Sequence, residues 1–202
     1  MSTYTILSTP IESTTEEKNS AFLTFLHPIT SREEAMGHVD QYRKKYSDAD
    51  HVCWAYIIGN TRQPQTQAFS DDGEPSGTAG KPILHVLTER EVGNSLAVVV
   101  RYFGGVKLGA GGLVRAYSAA VSGTVAQAQL SMVSPTVSLQ VVVDFAREAK
   151  IRHLVSQHEG HIEAIDYTSE VTIAINLPAG SAEHFAQQVI NMTGGEAVIR
   201  YK

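Results

Sequence analysis

Two polar, glycine-bearing stretches hold the residues best suited to chemistry. The first is Ser70-Asp71-Asp72-Gly73-Glu74-Pro75-Ser76-Gly77-Thr78-Ala79-Gly80-Lys81-Pro82. Its three carboxylates offer hard oxygen ligands to a divalent cation, although the spacing lacks the alternation of a calcium loop. Read more plainly, it is a solvated turn opened by Asp and Gly. A third reading makes it an acidic wall that pairs with nearby cations or contacts a partner. The second stretch runs Arg101-Tyr102-Phe103-Gly104-Gly105-Val106-Lys107-Leu108-Gly109-Ala110-Gly111-Gly112-Leu113-Val114-Arg115. Five glycines between Gly104 and Gly112 point to positive φ or to close approach of the backbone to something. Where such a stretch opens a helix, its free N–H groups and dipole suit an anion, with Lys107 or Arg115 to neutralise it. It is not a P-loop, because no Gly-Lys-Ser/Thr ends it, nor does it fit Gly-x-Gly-x-x-Gly.

No acid occurs between Glu91 and Asp144, whereas Arg101, Lys107 and Arg115 do, so this region is locally positive. The rest of the chain is acidic, with a net charge of -5. That balance argues against general nucleic-acid adhesion, and no DNA partner is expected. Pro135 divides 11 basic and 13 acidic residues from 5 and 8, so neither half is a basic arm. A single cysteine, Cys53, excludes an internal disulfide and favours a reducing compartment. The thiol lies in an apolar run and reads as inert. Ser76 lacks the Gly-x-Ser-x-Gly of a nucleophile elbow. His153 and His158, five apart on a helix, do not share the face that zinc sites use. With no apolar run of signal-peptide or membrane-span length, a cytoplasmic protein without a membrane partner, cofactor or resident metal is expected.

The elements that position these residues follow from periodicity. Phe22–Ile29, His51–Ile58 and Leu96–Tyr102 read as strands, the last apolar on both faces. Ser31-Arg32-Glu33-Glu34 is a capping box ahead of a helix marked by Ala35, Val39, Tyr42 and Tyr46. Helices are predicted over Lys81–Arg90 and from Gly112 to about Gln129, then a linker over Ser131–Pro135. Beyond it come a strand at Val137–Val143 and a helix at Ala146–Glu159 with Gly160 at C′. A hairpin around Thr168-Ser169-Glu170 follows, then a helix capped by Ser181 and a last strand at Glu196–Tyr201. This β-α-β-β-α-β order is the ferredoxin-like arrangement.

The two stretches, together with Val98-Val99-Val100 and Leu113-Val114-Arg115-Ala116-Tyr117, closely resemble the signature of the IMPACT family. The two-domain layout resembles its bacterial, YigZ-like branch. The resemblance implies an α+β protein. Residues 1–134 would form a two-layer α/β domain of the ribosomal-protein second-domain type. Residues 135–202 would form a ferredoxin-like domain similar to the fifth domain of elongation factor G. It also implies a link to translation, since eukaryotic relatives compete for a partner of a stress-activated initiation-factor kinase. Family members commonly carry Lys-Ser-Arg-Phe where this chain has Asn19-Ser20-Ala21-Phe22, which removes a cation from that edge.

Two readings stand at this point. One is a non-catalytic regulator binding the ribosome, RNA or a translation-associated protein. The other is an enzyme acting on a phosphorylated small molecule or nucleotide, using the glycine-rich loop with a divalent metal. In either, the candidate binding residues are Asp71, Asp72, Gly73, Glu74, Ser76, Gly77, Arg101, Tyr102, Gly104, Gly105, Lys107, Gly109, Gly111, Gly112 and Arg115. Asp71, Asp72 and Glu74 are predicted to meet Arg101, Lys107 or Arg115 along one groove, because the stretches flank the same strand.

Overall fold

Apolar alternation and one run buried on both sides build the N-terminal unit. The computed structural model describes residues 3–201. They divide into a compact unit over Tyr4–Val133 and another from Ser134 onward. In the first, strand β6 (Ser95–Tyr102) lies at the centre of a five-stranded antiparallel sheet. On either side of it are β3 (Ser20–Pro28) and β4 (His51–Asn60). The edges are β2 (Ile11–Glu17) and β5 (Gln63–Ser70). Ala97 and Val99 pack with α2 (Gly80–Glu89) and α3 (Ala110–Gln127). Leu96, Val98 and Val100 pack on the other face, with α1 (Arg32–Lys45). The mixed α+β class is as expected; the resemblance implied two layers, and α1 adds a third.

At the start of α1, Ser31 Oγ accepts from Glu34 N–H at 3.1 Å. Glu34 reaches back one residue further than a capping box requires, to Thr30 N–H at 2.8 Å. Beyond α3, residues 131–133 are not linker. They belong to β7 (Leu130–Val133), which pairs with β1 (Tyr4–Leu7) in a two-stranded ribbon. Nor does Ala21 lie on a sheet edge, because β2 covers β3.

The His27 imidazole accepts or donates a 2.7 Å bond to Tyr42 OH and stacks on His38 with centroids 4.1 Å apart. Burial, with repulsion from His38 and against the pull of Glu34, lowers its pKa to about 4. The unfolded chain takes up this proton near pH 6.5. The folded form therefore has its full share of stability above pH 6.5 and loses it as the pH falls to about 4. Unfolding midpoints of wild type and His27→Gln, compared from neutral to acid, should converge over that window. A pH-independent gap would refute it.

The second unit has β8 (Thr136–Val143), α4 (Glu148–Gln157), β9 (His161–Tyr167), β10 (Val171–Pro178), α5 (Ala182–Thr193) and β11 (Val198–Tyr201). Its antiparallel sheet has the order β11-β8-β10-β9, the ferredoxin-like topology. Leu139, Val141, Val143, Ile173 and Ile175 pack with Ile151, Leu154, Phe185 and Val189. The alternate residues Ser138, Gln140, Val142, Thr172, Ala174 and Asn176 face away and include no aromatic ring.

Two caps differ from expectation. The left-handed C′ residue of α4 is Glu159 (φ 54°), with Gly160 one place on. Gly160 N–H closes the turn on Val155 O, and a Cβ there would lie 2.3 Å from Leu177 Cδ2. Glycine is thus selected for space, not for φ. Ser181 bonds Pro178 O and leaves the α5 N–H groups uncapped.

Candidate functional site

After β5 the chain reverses at Asp72 and Gly73, both at positive φ. The segment from there to α2 folds around the Asp71 carboxylate. Its Oδ2 accepts from Gly77 N–H at 2.7 Å, and its Oδ1 from Ala79 and Gly80 N–H at 3.0 and 2.8 Å. Asp71 is therefore the cap of α2, which has none from its own N-cap residue Ala79. Asp72 ties down the neighbouring strand. One oxygen accepts from Val52 N–H and the other pairs with Arg43 at 3.0 Å.

Glu74 turns inward and is 8% exposed. Its Oε1 accepts from Arg101 Nη1 at 2.6 Å and from Tyr117 OH at 2.8 Å. Arg101 is 5% exposed. It lies beside the rings of Phe22 and Phe103, at 5.5 and 5.7 Å from their centroids. Its Nη2 donates to Ser20 Oγ at 3.3 Å, and the same oxygen accepts from Gly104 N–H. Gly104 cannot carry a side chain, since a Cβ would lie 2.0 Å from the Asn19 carbonyl carbon. Behind this pair, Tyr117 OH and Asp71 O both stand within reach of the Cys53 thiol, which burial pushes well above its usual pKa.

His51 adds the next group. A carbonyl only accepts, so the 2.9 Å contact to Asp72 O makes Nδ1 the protonated nitrogen. Nε2 then faces Glu74 Oε2 at 3.7 Å.

The outcome is a cleft of about 460 Å³. Its lining includes His51, Glu74, Arg101, Phe103, Lys107 and the first turn of α3. Its size falls within the range of small-ligand pockets. The predicted shared groove thus holds for Glu74, Arg101 and Lys107. It fails for Asp71 and Asp72, whose carboxylates hold α2, β4 and Arg43. It fails also for Arg115, which lines a separate hollow with Glu17 and Lys18. Glu74 and Arg101 are buried as a pair. Tyr102 points away and donates to Asp48. Gly73, Gly77, Gly105 and Gly109 adopt positive φ, and Ser76 is exposed. Among the described residues no group of three or more His, Cys, Asp or Glu is placed to hold a metal ion. Sequence reasoning missed Asp50, His51, Phe103 and Tyr117. Tyr117 was marked by its place in the quoted family signature, and it falls among the buried residues of α3.

The chain and its fold have recognisable relatives. The model of the Impact N-terminal domain matches residues 18–125, and that of a domain of unknown function, DUF1949, matches residues 141–196. The chain belongs to the IMPACT family. It is 35% identical over 195 residues to IMPACT family member YigZ of Escherichia coli (strain K12), covering 96% of each. It is 32% identical to IMPACT family member YvyE of Bacillus subtilis (strain 168), over 91% of this chain and 83% of that one. Human Protein IMPACT is similar over only 96 residues, at 31% identity, which is 46% of this chain and 29% of the human protein. A crystal structure titled as that of a hypothetical protein superposes with a TM-score of 0.70 at 34% identity, over 98% of this chain and 97% of that one. Among the described residues of this IMPACT family member, no helix is long and apolar enough to cross a membrane.

Proposed function

We propose that this IMPACT family chain is a non-catalytic cytoplasmic binding protein linked to translation, and that its N-terminal unit holds a ribosome-associated protein partner in the cleft. The observation that supports this reading most is the buried Glu74–Arg101 pair. It gives the cleft a preorganised and nearly neutral floor, bordered by the exposed ring of Phe103 and by Pro75, Leu108 and Leu113. Such a hollow suits an apolar anchor from a protein better than a ladder of phosphates, which would call for a row of free cations. The two central strands of the second unit's sheet, β8 and β10, turn no aromatic ring to the face away from its helices. The link to translation rests on the family. The enzyme alternative lacks metal ligands at the acidic turn, since Asp71 and Asp72 bond to the backbone and to Arg43.

The test is co-sedimentation with ribosomes at low and moderate salt, with and without competitor RNA. Association should survive the competitor and fall at least tenfold in Phe103→Ala. Loss to competitor RNA would shift the reading to direct RNA binding. No association under any low-salt condition would overturn it.

A further inference from the structure

The Glu74 carboxylate is bonded through one oxygen only. Oε1 accepts from Arg101 Nη1 and from Tyr117 OH. Oε2 accepts no hydrogen bond among the described residues, although the side chain is only 3% exposed. A buried acceptor without a donor is costly. The group that Oε2 faces does not supply one. His51 Nε2 stands 3.7 Å away, beyond hydrogen-bond reach. With Nδ1 protonated against Asp72 O, the neutral ring has a lone pair on Nε2. Both side chains line the cleft. Two acceptors thus face each other on its floor, and one donor reaching between them from the cleft would serve both.

The surroundings decide what bears that donor. The ring of Phe103 is 45% exposed, yet its backbone is fixed. Phe103 N–H donates to Asp50 Oδ2 at 2.7 Å, and the next residue, Gly104, is pressed against Asn19. Phe103, Pro75 and Leu108 give the cleft apolar walls. A cationic anchor is disfavoured. Arg101 already neutralises Glu74, and Lys107, in the same lining, offsets Asp50. A further positive charge at Oε2 would stand beside a buried guanidinium, where like charges are poorly screened. A hydroxyl would bring lone pairs of its own towards His51 Nε2. An indole brings none, because its ring nitrogen donates and does not accept. Its N–H bond to a carboxylate is charge-assisted, and its two flat rings match the apolar walls. A cleft of about 460 Å³ has room for them.

We infer that the cleft is a socket for one tryptophan side chain of the protein partner, its indole N–H donated between Glu74 Oε2 and His51 Nε2 and its rings laid along Phe103, Pro75 and Leu108. This rests on the reading of the cleft as a partner site and names the residue that enters it.

The experiment is a titration of the full chain, followed by NMR of the amides and of the histidine rings. Three probes are compared: N-acetyl-tryptophanamide, its benzothiophene analogue, in which sulfur replaces the N–H, and N-acetyl-argininamide. The tryptophan probe should bind saturably, with shifts at His51, Phe103 and Leu108. The sulfur analogue should bind at least fivefold more weakly, since it has the rings without the donor. It leaves the protein unaltered, so that loss cannot come from a damaged fold. Phe103→Ala should weaken the tryptophan probe at least tenfold. The inference is overturned if no saturable shift appears up to the solubility limit of the tryptophan probe, if the sulfur analogue binds equally well, or if the arginine probe binds more tightly. A free protein whose His51 Nε2 carries a proton at neutral pH overturns it too. A tryptophan probe that fails while ribosome association still depends on Phe103 removes the socket and leaves the partner. A probe that binds as expected without any ribosome association leaves the socket and removes the ribosomal partner.

Discussion

Glu74→Ala is expected to destabilise the N-terminal unit by about 3–5 kcal/mol, because it strands a buried guanidinium. Glu74 and Arg101 have side chains only 3% and 6% exposed, and Tyr117 OH loses its acceptor in the same change. The cost lies in the partner left behind more than in the pair itself. Replacing both residues by apolar ones of similar volume, Glu74→Leu with Arg101→Met, should therefore cost less than Glu74→Ala alone. Trp54 is the single tryptophan of the chain and lies in β4, so its fluorescence follows this unit through a urea titration. A loss below about 1 kcal/mol for Glu74→Ala would show that water reaches Arg101 and that the pair is not buried in solution.

Asp71→Ala carries the second large effect, about 3 kcal/mol, from three charge-assisted bonds lost at once. The oxygens of Asp71 hold N–H groups of Gly77, Ala79 and Gly80, six to nine residues ahead. Without them the start of α2 has no cap, and the loop bearing Glu74 has no post to wrap around. Hydrogen exchange at Gly77, Ala79 and Gly80 should quicken by more than the global loss of stability explains. Asp71→Asn keeps an acceptor oxygen and should retain part of both effects. Equal exchange in wild type and Asp71→Ala would remove the carboxylate from its role as cap.

These two residues mark the limit of what could be read from residue order. The central strand was legible because Val98, Val99 and Val100 are buried on both faces, and only a covered strand reads that way. The ferredoxin-like unit was legible because its alternation and helical stripes are regular. Of the glycines of the second stretch, Gly105 and Gly109 take the positive φ that was expected, Gly104 has the closest backbone approach, and Gly111 meets neither demand. What charge patterning could not show was which acid meets which base. Asp71, Asp72 and Glu74 lie within four positions of one another, yet a turn with two residues at positive φ sends them to three different neighbours. Strand β5, with Gln63, Gln65 and Gln67, has the composition of a loop, and pairing with β4 alone makes it a strand. Ser181 matched a capping signal, but a neighbouring carbonyl at Pro178 took its hydroxyl.

The ribbon of β1 and β7 has a consequence of another kind. Tyr4 lies directly opposite Val133, so the first and last residues of the unit are cross-strand partners. Adjacent ends are what circular permutation and domain insertion require. Joining Val133 to Tyr4 by a short turn and opening the chain elsewhere would leave every strand of the central sheet in register. The ribbon makes the N-terminal unit a cassette, able to be lifted out of one polypeptide and set into another without rearranging what lies between its ends.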